Sequence, residues 1–381
     1  MFNNKEIFED YNLLTEEKIE SALKEAIDRT KKHLKDFKDG FPAAFSTDGV
    51  YPCTENKDWT EGFYTGILWL CYEATGDEQF RNLAEKQLES FRDRIERKYY
   101  TDHHDMGFLY SLSCVAAYKL TGNERAKETA LMAADNLVSR YQEKGEFIQA
   151  WGEMGAPDNY RLIIDCLLNL PILHWATDVT GDKNYAEIAV KHLNTTMNVI
   201  VRENGSTHHT YYFDMETGAP AYGKTAQGYS DDSAWARGQS WGVYGFVLNY
   251  IYTKKENIVP LWKKVTDYYL ENLPDDKVAY WDLCFKSGEQ PRDSSSGVIA
   301  VCGILEAYKQ KICGEEYLKA AKSVLNGIID MCSTKDTPGS NGLLLHSTYN
   351  KEGGIDECNI WADYFYMEAL TRLTREWKLY W

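Results

Sequence analysis

The sequence predicts an all-α fold, a closed (α/α)6 barrel of six inner and six outer helices. Apolar residues recur at helical spacing along almost the whole chain. The helices come in pairs, in which a helix rich in apolar and small residues precedes an amphipathic one. The turn inside the first three pairs also repeats, as TGD, TGN and TGD. Because such pairs cannot bury their apolar faces alone, they have to stack on one another.

Five helical pairs follow one another along the chain. They span residues 62–95, 106–141, 160–200, 235–273 and 294–332. An opening helix near Glu16–Phe37 and a closing helix near Ile360–Trp377 bring the number to twelve. An open stack would need polar capping repeats at its ends, which the sequence lacks. We therefore expect the helices to close into one domain over residues 1–381.

Composition excludes several classes of partner. The 381 residues carry a formal net charge of −16, which argues against nucleic-acid or anionic-membrane binding. No apolar run reaches the ~18 residues of a membrane span, and the amino-terminal segment has no secretory signal pattern. The 9 cysteines are scattered without a CxxC motif, which is typical of reduced thiols and not of a zinc site. We expect a cytoplasmic protein, a monomer or weak homo-oligomer.

Unusual polar and aromatic residues fall in the loops that precede the predicted inner helices. These loops share one end of a barrel, so their side chains should converge on a single concave site. The loop residues are Asp58 and Trp59; His103, His104 and Asp105; 151–161; His208, His209 and 227–237; Arg292 and Asp293; and 349–361.

Asp165 is the most anomalous of the candidate residues. It lies within LIIDCLLNL, which we interpret as the first turn of a helix with apolar neighbours on nearly every side. A carboxylic acid in such surroundings has a raised pKa and suits general acid catalysis. The alternative is a structural aspartate paired with an arginine or capping a backbone group.

Asp105 and the paired histidines allow more than one interpretation. Asp105 ends the run DHHD and could simply cap the following helix. Metal binding by His103, His104, His208 and His209 is disfavoured, because adjacent residues on regular structure point in different directions. For Asp58 and Asp293, capping is the better interpretation.

Aromatic residues and one arginine complete the candidate site. The tryptophans Trp59, Trp151, Trp235 and Trp241 suit sugar platforms as well as they suit a core. Arg237, in WARGQSW, would suit a substrate carboxylate, with a structural ion pair as the equal alternative.

Long strings in this chain resemble the unsaturated glucuronyl hydrolases, glycoside hydrolase family 88. The strings are DWTEGFYTGILWLCYEATGD, DHHDMGFLYSLS, FIQAWGE, YRLIIDCLLNLP, HHTYYFD, WARGQSWGVYGF, YWDLCF and PRDSSS, in order from about Asp58 to the carboxyl terminus. The resemblance implies an α/α barrel and hydration of the C4=C5 double bond of an unsaturated uronate at the non-reducing end of a di- or oligosaccharide. It implies no cofactor, in keeping with the absence of phosphate-loop, dinucleotide and zinc motifs.

The resemblance also assigns residues. Asp165 matches the general acid and base, and Asp105 matches a second essential carboxylate. The positions that match the lining of the sugar site are Trp59, His104, Trp151, His209, Gln227, Arg237, Trp241 and Tyr349. Relatives that prefer sulfated disaccharides have an arginine where this chain has Ala226 and a loop richer in Ser and Lys, of which Lys351 is the cation kept here. We therefore expect weak sulfate recognition.

Three rival functions remain open at this point. One is a hydrolase of unsaturated galacturonyl-rhamnose fragments of pectin, using the same chemistry. Another is a sugar epimerase or isomerase that uses histidines as acid and base. The third is a sugar-binding scaffold without catalytic activity.

Overall fold

Twelve helices alternate between an inner and an outer ring in the computed structural model, which describes residues 2–381. The inner helices are α2 (Glu61–Thr75), α4 (Met106–Tyr110, the π-turn Ser111–Val115 and Ala116–Thr121), α6 (Cys166–Asn169 and Pro171–Thr180), α8 (Ala236–Thr253), α10 (Ser294–Lys309) and α12 (Ile360–Thr374). The outer helices are α1 (Glu16–His33), α3 (Glu78–Glu96), α5 (Glu124–Val138), α7 (Lys183–Val199), α9 (Ile258–Glu271) and α11 (Glu315–Cys332). The predicted (α/α)6 architecture is confirmed.

The inner helices form a closed ring. Each packs against the next inner helix, and α12 packs against α2, so the last and first inner helices complete the circle. Each outer helix lies against an inner neighbour. Side chains of the inner helices are buried over most of their length, whereas the outer helices bury one face only, as the sequence pattern predicts. None of the helices in residues 2–381 is both long and apolar enough to cross a bilayer.

The repeated TGD junctions have a common structure. Gly76, Gly122 and Gly181 end their helices in the left-handed conformation, with φ of 67°, 71° and 79°. The residue after each glycine caps the next helix; the carboxylate of Asp77, for example, accepts from the backbone N–H of Gln79 at 3.0 Å. The junctions therefore turn the chain sharply from an inner to an outer helix.

Seven short strands decorate the barrel, and they were not predicted. The hairpins are β1 (Phe41–Pro42) with β2 (Cys53–Thr54) and β3 (Tyr141–Gln142) with β4 (Phe147–Ile148). A three-stranded antiparallel sheet consists of β5 (Arg161–Ile163), β6 (Thr210–Phe213) and β7 (Pro220–Lys224). Short 3-10 helices cover Lys5–Leu13, Leu34–Phe37, Pro157–Asn159 and Thr334–Asp336. The sheet lies in the loops at the amino-terminal end of the inner helices.

Candidate active site

The amino-terminal ends of the inner helices surround a cavity of about 230 Å³. All ten residues predicted for the site line this cavity, together with Trp235. They are Trp59, His104, Asp105, Trp151, Asp165, His209, Gln227, Arg237, Trp241 and Tyr349. The structure thus brings together side chains that are spread over nearly 300 positions of the chain.

Backbone hydrogen bonds between loops hold the floor of the cavity. His104 N–H donates to Ala150 O at 2.7 Å, and Ala150 N–H donates to Arg161 O at 3.1 Å. Ile164 N–H, just beyond β5, donates to His209 O at 3.1 Å. The unpredicted sheet therefore fixes His104 and His209 relative to the chain that leads into Asp165.

The position of Asp165 differs from the sequence-based interpretation. The segment that we expected to be the start of a helix is the strand β5, and Asp165 occupies the N-cap position of α6 instead of lying one turn inside it. Its side chain is only 17% exposed. The apolar run therefore reflects a buried strand followed by a helix, two structures that apolar periodicity alone does not distinguish.

Asp105 and Asp165 form a pair bridged by His104. Nε2 of His104 lies 3.4 Å from Asp105 Oδ1 and 3.3 Å from Asp165 Oδ1. Asp105 also occupies an N-cap position, but its side chain makes no capping hydrogen bond. Its carboxylate faces the two histidines of DHHD, so the capping alternative is wrong for this residue.

The pKa values of the two carboxyl groups are shifted in opposite directions. Burial raises the pKa of Asp165 well above its ordinary value, and the negative charge of Asp105 raises it further, against the opposing effect of Arg237. Burial also acts to raise the pKa of Asp105, but His104 and His103 outweigh it and hold that pKa below the ordinary value. Asp165 is accordingly the weaker acid of the pair, and Asp105 is the stronger.

Both cavity histidines are neutral near pH 7. Burial lowers the pKa of His104 to about 4 and that of His209 to about 3. Nδ1 of His209 accepts from the backbone N–H groups of Ala226 and Gln227 at 3.0 and 3.2 Å. Its proton therefore resides on Nε2, where it is available as a hydrogen-bond donor.

Arg237 is held by a structural ion pair. Its side chain is 1% exposed, and Nη1 lies 3.0 Å from Asp293 Oδ2. Nη2 donates to Gln227 Oε1 at 2.9 Å and to Tyr349 O at 2.6 Å. Asp293 occupies the N-cap position of α10 but makes no capping hydrogen bond, so the expected capping role is wrong for it as well.

Aromatic rings make the walls of the cavity. Trp59 donates its indole N–H to Tyr349 Oη at 3.2 Å and stacks on Trp361 with ring centroids 5.0 Å apart. Trp151 and Trp59 are partly exposed, whereas Trp241 is 1% exposed and belongs to the floor. Platform and core interpretations of the tryptophans thus apply to different members of the set.

Two residues at the cavity end of the barrel were not assigned to the site from the sequence. Trp235 was considered as a platform but not assigned to the site, although it lines the cavity and stacks with His209 at 4.3 Å. Arg161 was not singled out, and its guanidinium carbon lies 4.4 Å from the centroid of the Trp151 ring. An arginine within the apolar run before Asp165 was the signal that could have identified it.

The four-histidine metal site is not formed in the described part of the chain. Within residues 2–381, the His, Cys, Asp and Glu groups close enough to share an ion reduce to His104, Asp105 and Asp165, with donor atoms within 4.8 Å of one another. Metal ligands have to be deprotonated. The raised pKa of Asp165 therefore suits proton donation better than metal binding.

A closed α/α barrel whose aromatic-walled cavity holds a pair of carboxyl groups suits a glycoside hydrolase. Residues 30–374 match the profile of Glycosyl Hydrolase Family 88. The chain belongs to this family.

Named relatives cover almost the full length. The unsaturated chondroitin disaccharide hydrolase of Streptococcus pneumoniae is 48% identical over 384 residues, which is 99% of this chain and 97% of the relative. The crystal structure of an unsaturated glucuronyl hydrolase from Streptococcus agalactiae superposes with a TM-score of 0.97 at 44% identity, covering 100% of this chain and 98% of that one. A mutant of that enzyme complexed with dGlcA-GalNAc6S superposes with a TM-score of 0.89 at 40% identity, covering 100% and 97%.

Proposed function

We propose that this protein releases the 4,5-unsaturated glucuronic acid from the non-reducing end of lyase-produced glycosaminoglycan oligosaccharides by hydrating the C4=C5 double bond. The observation that carries the proposal is the pair of carboxyl groups on either side of His104, in which the pKa of Asp165 is raised and the pKa of Asp105 is lowered. Residues 1–381 would act as one catalytic domain.

In the proposed reaction Asp165 serves as both acid and base. It donates its proton to C4, and positive charge develops at C5 and the ring oxygen. The Asp165 carboxylate then takes a proton from the water whose oxygen bonds to C5, which regenerates the acid. The resulting hemiketal opens at the bond between C5 and the ring oxygen, and the C1 hemiacetal collapses to release the shortened sugar and a keto-uronate. Holding the acid and the water against the ring accounts for the catalysis.

The cavity suits an anionic sugar in an otherwise acidic protein. The inner helices direct their amino-terminal ends, which carry partial positive charge, toward the cavity. The Nε2–H group of His209 supplies a donor for the uronate carboxylate or a hydroxyl, and Gln227 is held beside it by Arg237. Asp105 would accept from sugar hydroxyls and keep Asp165 protonated. Trp59, Trp151, Trp241 and Tyr349 would pack on the sugar ring.

Glycosaminoglycan fragments are preferred over pectin fragments as substrates, because the named relatives are unsaturated chondroitin disaccharide and glucuronyl hydrolases. Sulfate recognition should be weak. The Ala226 side chain offers no cation, and Lys351 lies 3.2 Å from Tyr229 O and 5.3 Å from the centroid of the Trp281 ring.

The decisive experiment follows the ultraviolet absorbance of an unsulfated unsaturated chondroitin disaccharide, because hydration abolishes the conjugated chromophore. We expect decay with the wild type and a rate lower by about 10²–10⁴-fold with Asp165→Asn, the usual contribution of general acid–base catalysis. Asp158→Asn, an exposed change in the loop before β5, is the matched control. A flat wild-type trace on this substrate and on pectin disaccharides would refute hydration. Loss of activity with Asp165→Asn but not with His209→Ala would exclude the epimerase or isomerase alternative.

A second measurement separates hydration from displacement at the anomeric carbon. Oxygens of the two carboxyl groups lie within 4.8 Å of each other, close to the spacing of about 5–5.5 Å in retaining glycosidases, so distance alone does not decide. In D2O, enzymatic protonation at C4 should place deuterium on one face of the product. Displacement followed by spontaneous tautomerisation in solution would label both faces.

A further inference from the structure

Arg94, an outer-helix residue outside the cavity, connects two loops at the cavity end of the barrel. One loop leads to Trp59, and the other leads to Asp105. Arg94 lies in α3 and is 1% exposed. Nη1 donates to Asn56 Oδ1 at 2.8 Å and to Asp58 O at 2.7 Å, in the loop that leads to Trp59. Nη2 donates to Tyr100 O at 2.7 Å, in the loop that leads to DHHD. The buried carboxylate of Glu61, 3.3 Å from Nη1, balances the charge.

The same guanidinium reaches the histidine beside the catalytic anion. Arg94 Nη2 lies 3.2 Å from Nε2 of His103. The other ring nitrogen of His103, Nδ1, lies 3.1 Å from Oδ2 of Asp105. His103 does not line the cavity. Its ring lies between the buried Arg94 guanidinium and the Asp105 carboxylate of the proposed active site.

Each ring nitrogen of His103 faces one donor and one acceptor. Nε2 faces the Arg94 guanidinium and, at 3.0 Å, Tyr100 O. Nδ1 faces the Asp105 carboxylate and, at 3.1 Å, the Asp105 backbone N–H. Two neutral tautomers are therefore possible. With the proton on Nδ1, the ring donates to the Asp105 carboxylate and accepts from the Arg94 guanidinium, both of which are charged. With the proton on Nε2, the ring donates to Tyr100 O and accepts from the Asp105 backbone N–H, both of which are neutral.

The charged partners decide between the tautomers. Hydrogen bonds to ionised groups are about twice as strong as those between neutral groups. Each tautomer opposes one N–H group, since Nε2–H faces the guanidinium and Nδ1–H faces the backbone N–H of Asp105, so the charged partners carry the difference. We propose that Arg94 is a positioning residue that holds His103 as the Nδ1–H tautomer, so that His103 donates a hydrogen bond to Asp105.

This inference rests on the proposed function for its catalytic consequence, although the tautomer itself does not depend on substrate. A donor on Oδ2 fixes the rotation of the Asp105 carboxylate and favours its charged form. The other oxygen, Oδ1, then stays beside Nε2 of His104, which itself lies 3.3 Å from Asp165 Oδ1. The groups around Asp105 are His103, His104, Asp165, Arg94 and Arg140.

The first test is nitrogen NMR of ligand-free, 15N-histidine-labelled protein near pH 7. His103 is assigned by the signal that disappears in His103→Gln. We expect Nδ1–H in the wild type and a shift toward Nε2–H in Arg94→Lys, whose ammonium keeps the charge but cannot span both loops. Arg97→Lys, at the C-cap of the same helix and 64% exposed, is the control and should leave the signal unchanged. An Nε2–H tautomer in the wild type overturns the proposal, whatever the enzyme hydrolyses.

The second test uses side chains that imitate one ring nitrogen at a time. An asparagine amide takes the place of Nδ1, and a glutamine amide that of Nε2. We expect the His103→Asn variant to retain most of the wild-type rate. His103→Gln should lower kcat/KM by about tenfold or more, because Asp105 lacks its donor. The acidic limb of the pH–activity profile should also move to higher pH than in the wild type. In the His103→Asn background, Arg94→Lys should lower the rate by a smaller factor than in the wild type, because only its contacts with the two loops remain to be lost. Equal losses in the two His103 variants, or an undiminished Arg94→Lys effect, would overturn the proposal.

Discussion

Each end of the barrel holds two buried carboxyl groups with one nitrogen-bearing side chain between them. At the cavity end the bridging group is His104, between Asp105 and Asp165. At the opposite end it is Arg372, 2.6 Å from Glu306 and 3.0 Å from Glu368. The two sets are similar in plan and differ in the basic group that joins the acids.

The difference in the bridging group sets the charge of the acids. Burial acts to raise the pKa of Glu306, but the charge and hydrogen bond of Arg372 hold it below its ordinary value. The neutral ring of His104 gives no such compensation to Asp165, whose pKa stays raised. An arginine thus holds the pKa of Glu306 below its ordinary value, whereas the histidine leaves the pKa of Asp165 raised, which suits that group to carry a proton for chemistry.

Removing Arg372 tests the role of the bridging group at the end of the barrel opposite the cavity. In Arg372→Met, Glu306 and Glu368 lose their cation while both remain 0% exposed. We expect unfolding free energy to fall by about 3–5 kcal/mol, the usual cost of leaving a buried charge unpaired. Urea denaturation measures this, with Arg81→Met on the surface of α3 as control. A loss below about 1 kcal/mol would show that the two glutamates are not held as anions.

Placing an arginine at the cavity end would convert one set into the other. In His104→Arg, a permanent cation beside Asp165 should remove its proton and lower kcat/KM by about 10³-fold. His104→Gln keeps a neutral donor near the position of Nε2 and should lose far less. Steady-state kinetics with a thermal-unfolding check on both variants gives the answer. Equal losses would mean that the charge of the bridging group does not matter.

The raised pKa of Asp165 also predicts a dependence of stability on pH. A group whose pKa is raised on folding contributes stability below its unfolded pKa, and this is lost as the pH rises through the folded pKa. Asp165→Asn has no proton to lose, so its unfolding free energy should exceed that of the wild type at alkaline pH, by an amount on the order of 1 kcal/mol. Urea titrations from about pH 5 to 9 measure the gap. A gap that narrows as the pH rises contradicts the assignment.

The smallest effect concerns a junction at the structural end. Asp77→Ala removes the carboxylate that caps α3 at 3.0 Å and should cost about 1 kcal/mol of stability. Because this turn lies at the end away from the cavity, kcat/KM should stay unchanged. Denaturation and kinetics on the same preparation test both statements. A change in kcat/KM would show that the two ends are coupled.

Sequence reasoning reached the architecture because twelve amphipathic or buried helices leave a strong periodic signal. It also placed the candidate site, since loops before inner helices share one end of the ring. It failed where the signal is ambiguous: the apolar run around Asp165 fits a buried strand as well as a helix, and the strand is correct. The opposite pKa shifts of Asp105 and Asp165 could not be predicted without the distances in the structure, because each shift depends on groups from other loops.

Closure of the ring has a consequence for how the chain matures. Trp59 and Tyr349, which share a wall of the cavity, are 290 residues apart. Contacts of such separation carry a large loop-closure cost and form late in folding. On a ribosome adding about 5–20 residues per second, the second of these residues emerges roughly 15–60 seconds after the first. Until then the incomplete ring of inner helices has apolar faces exposed to solvent. The onset of activity during synthesis would report when α12 packs against α2.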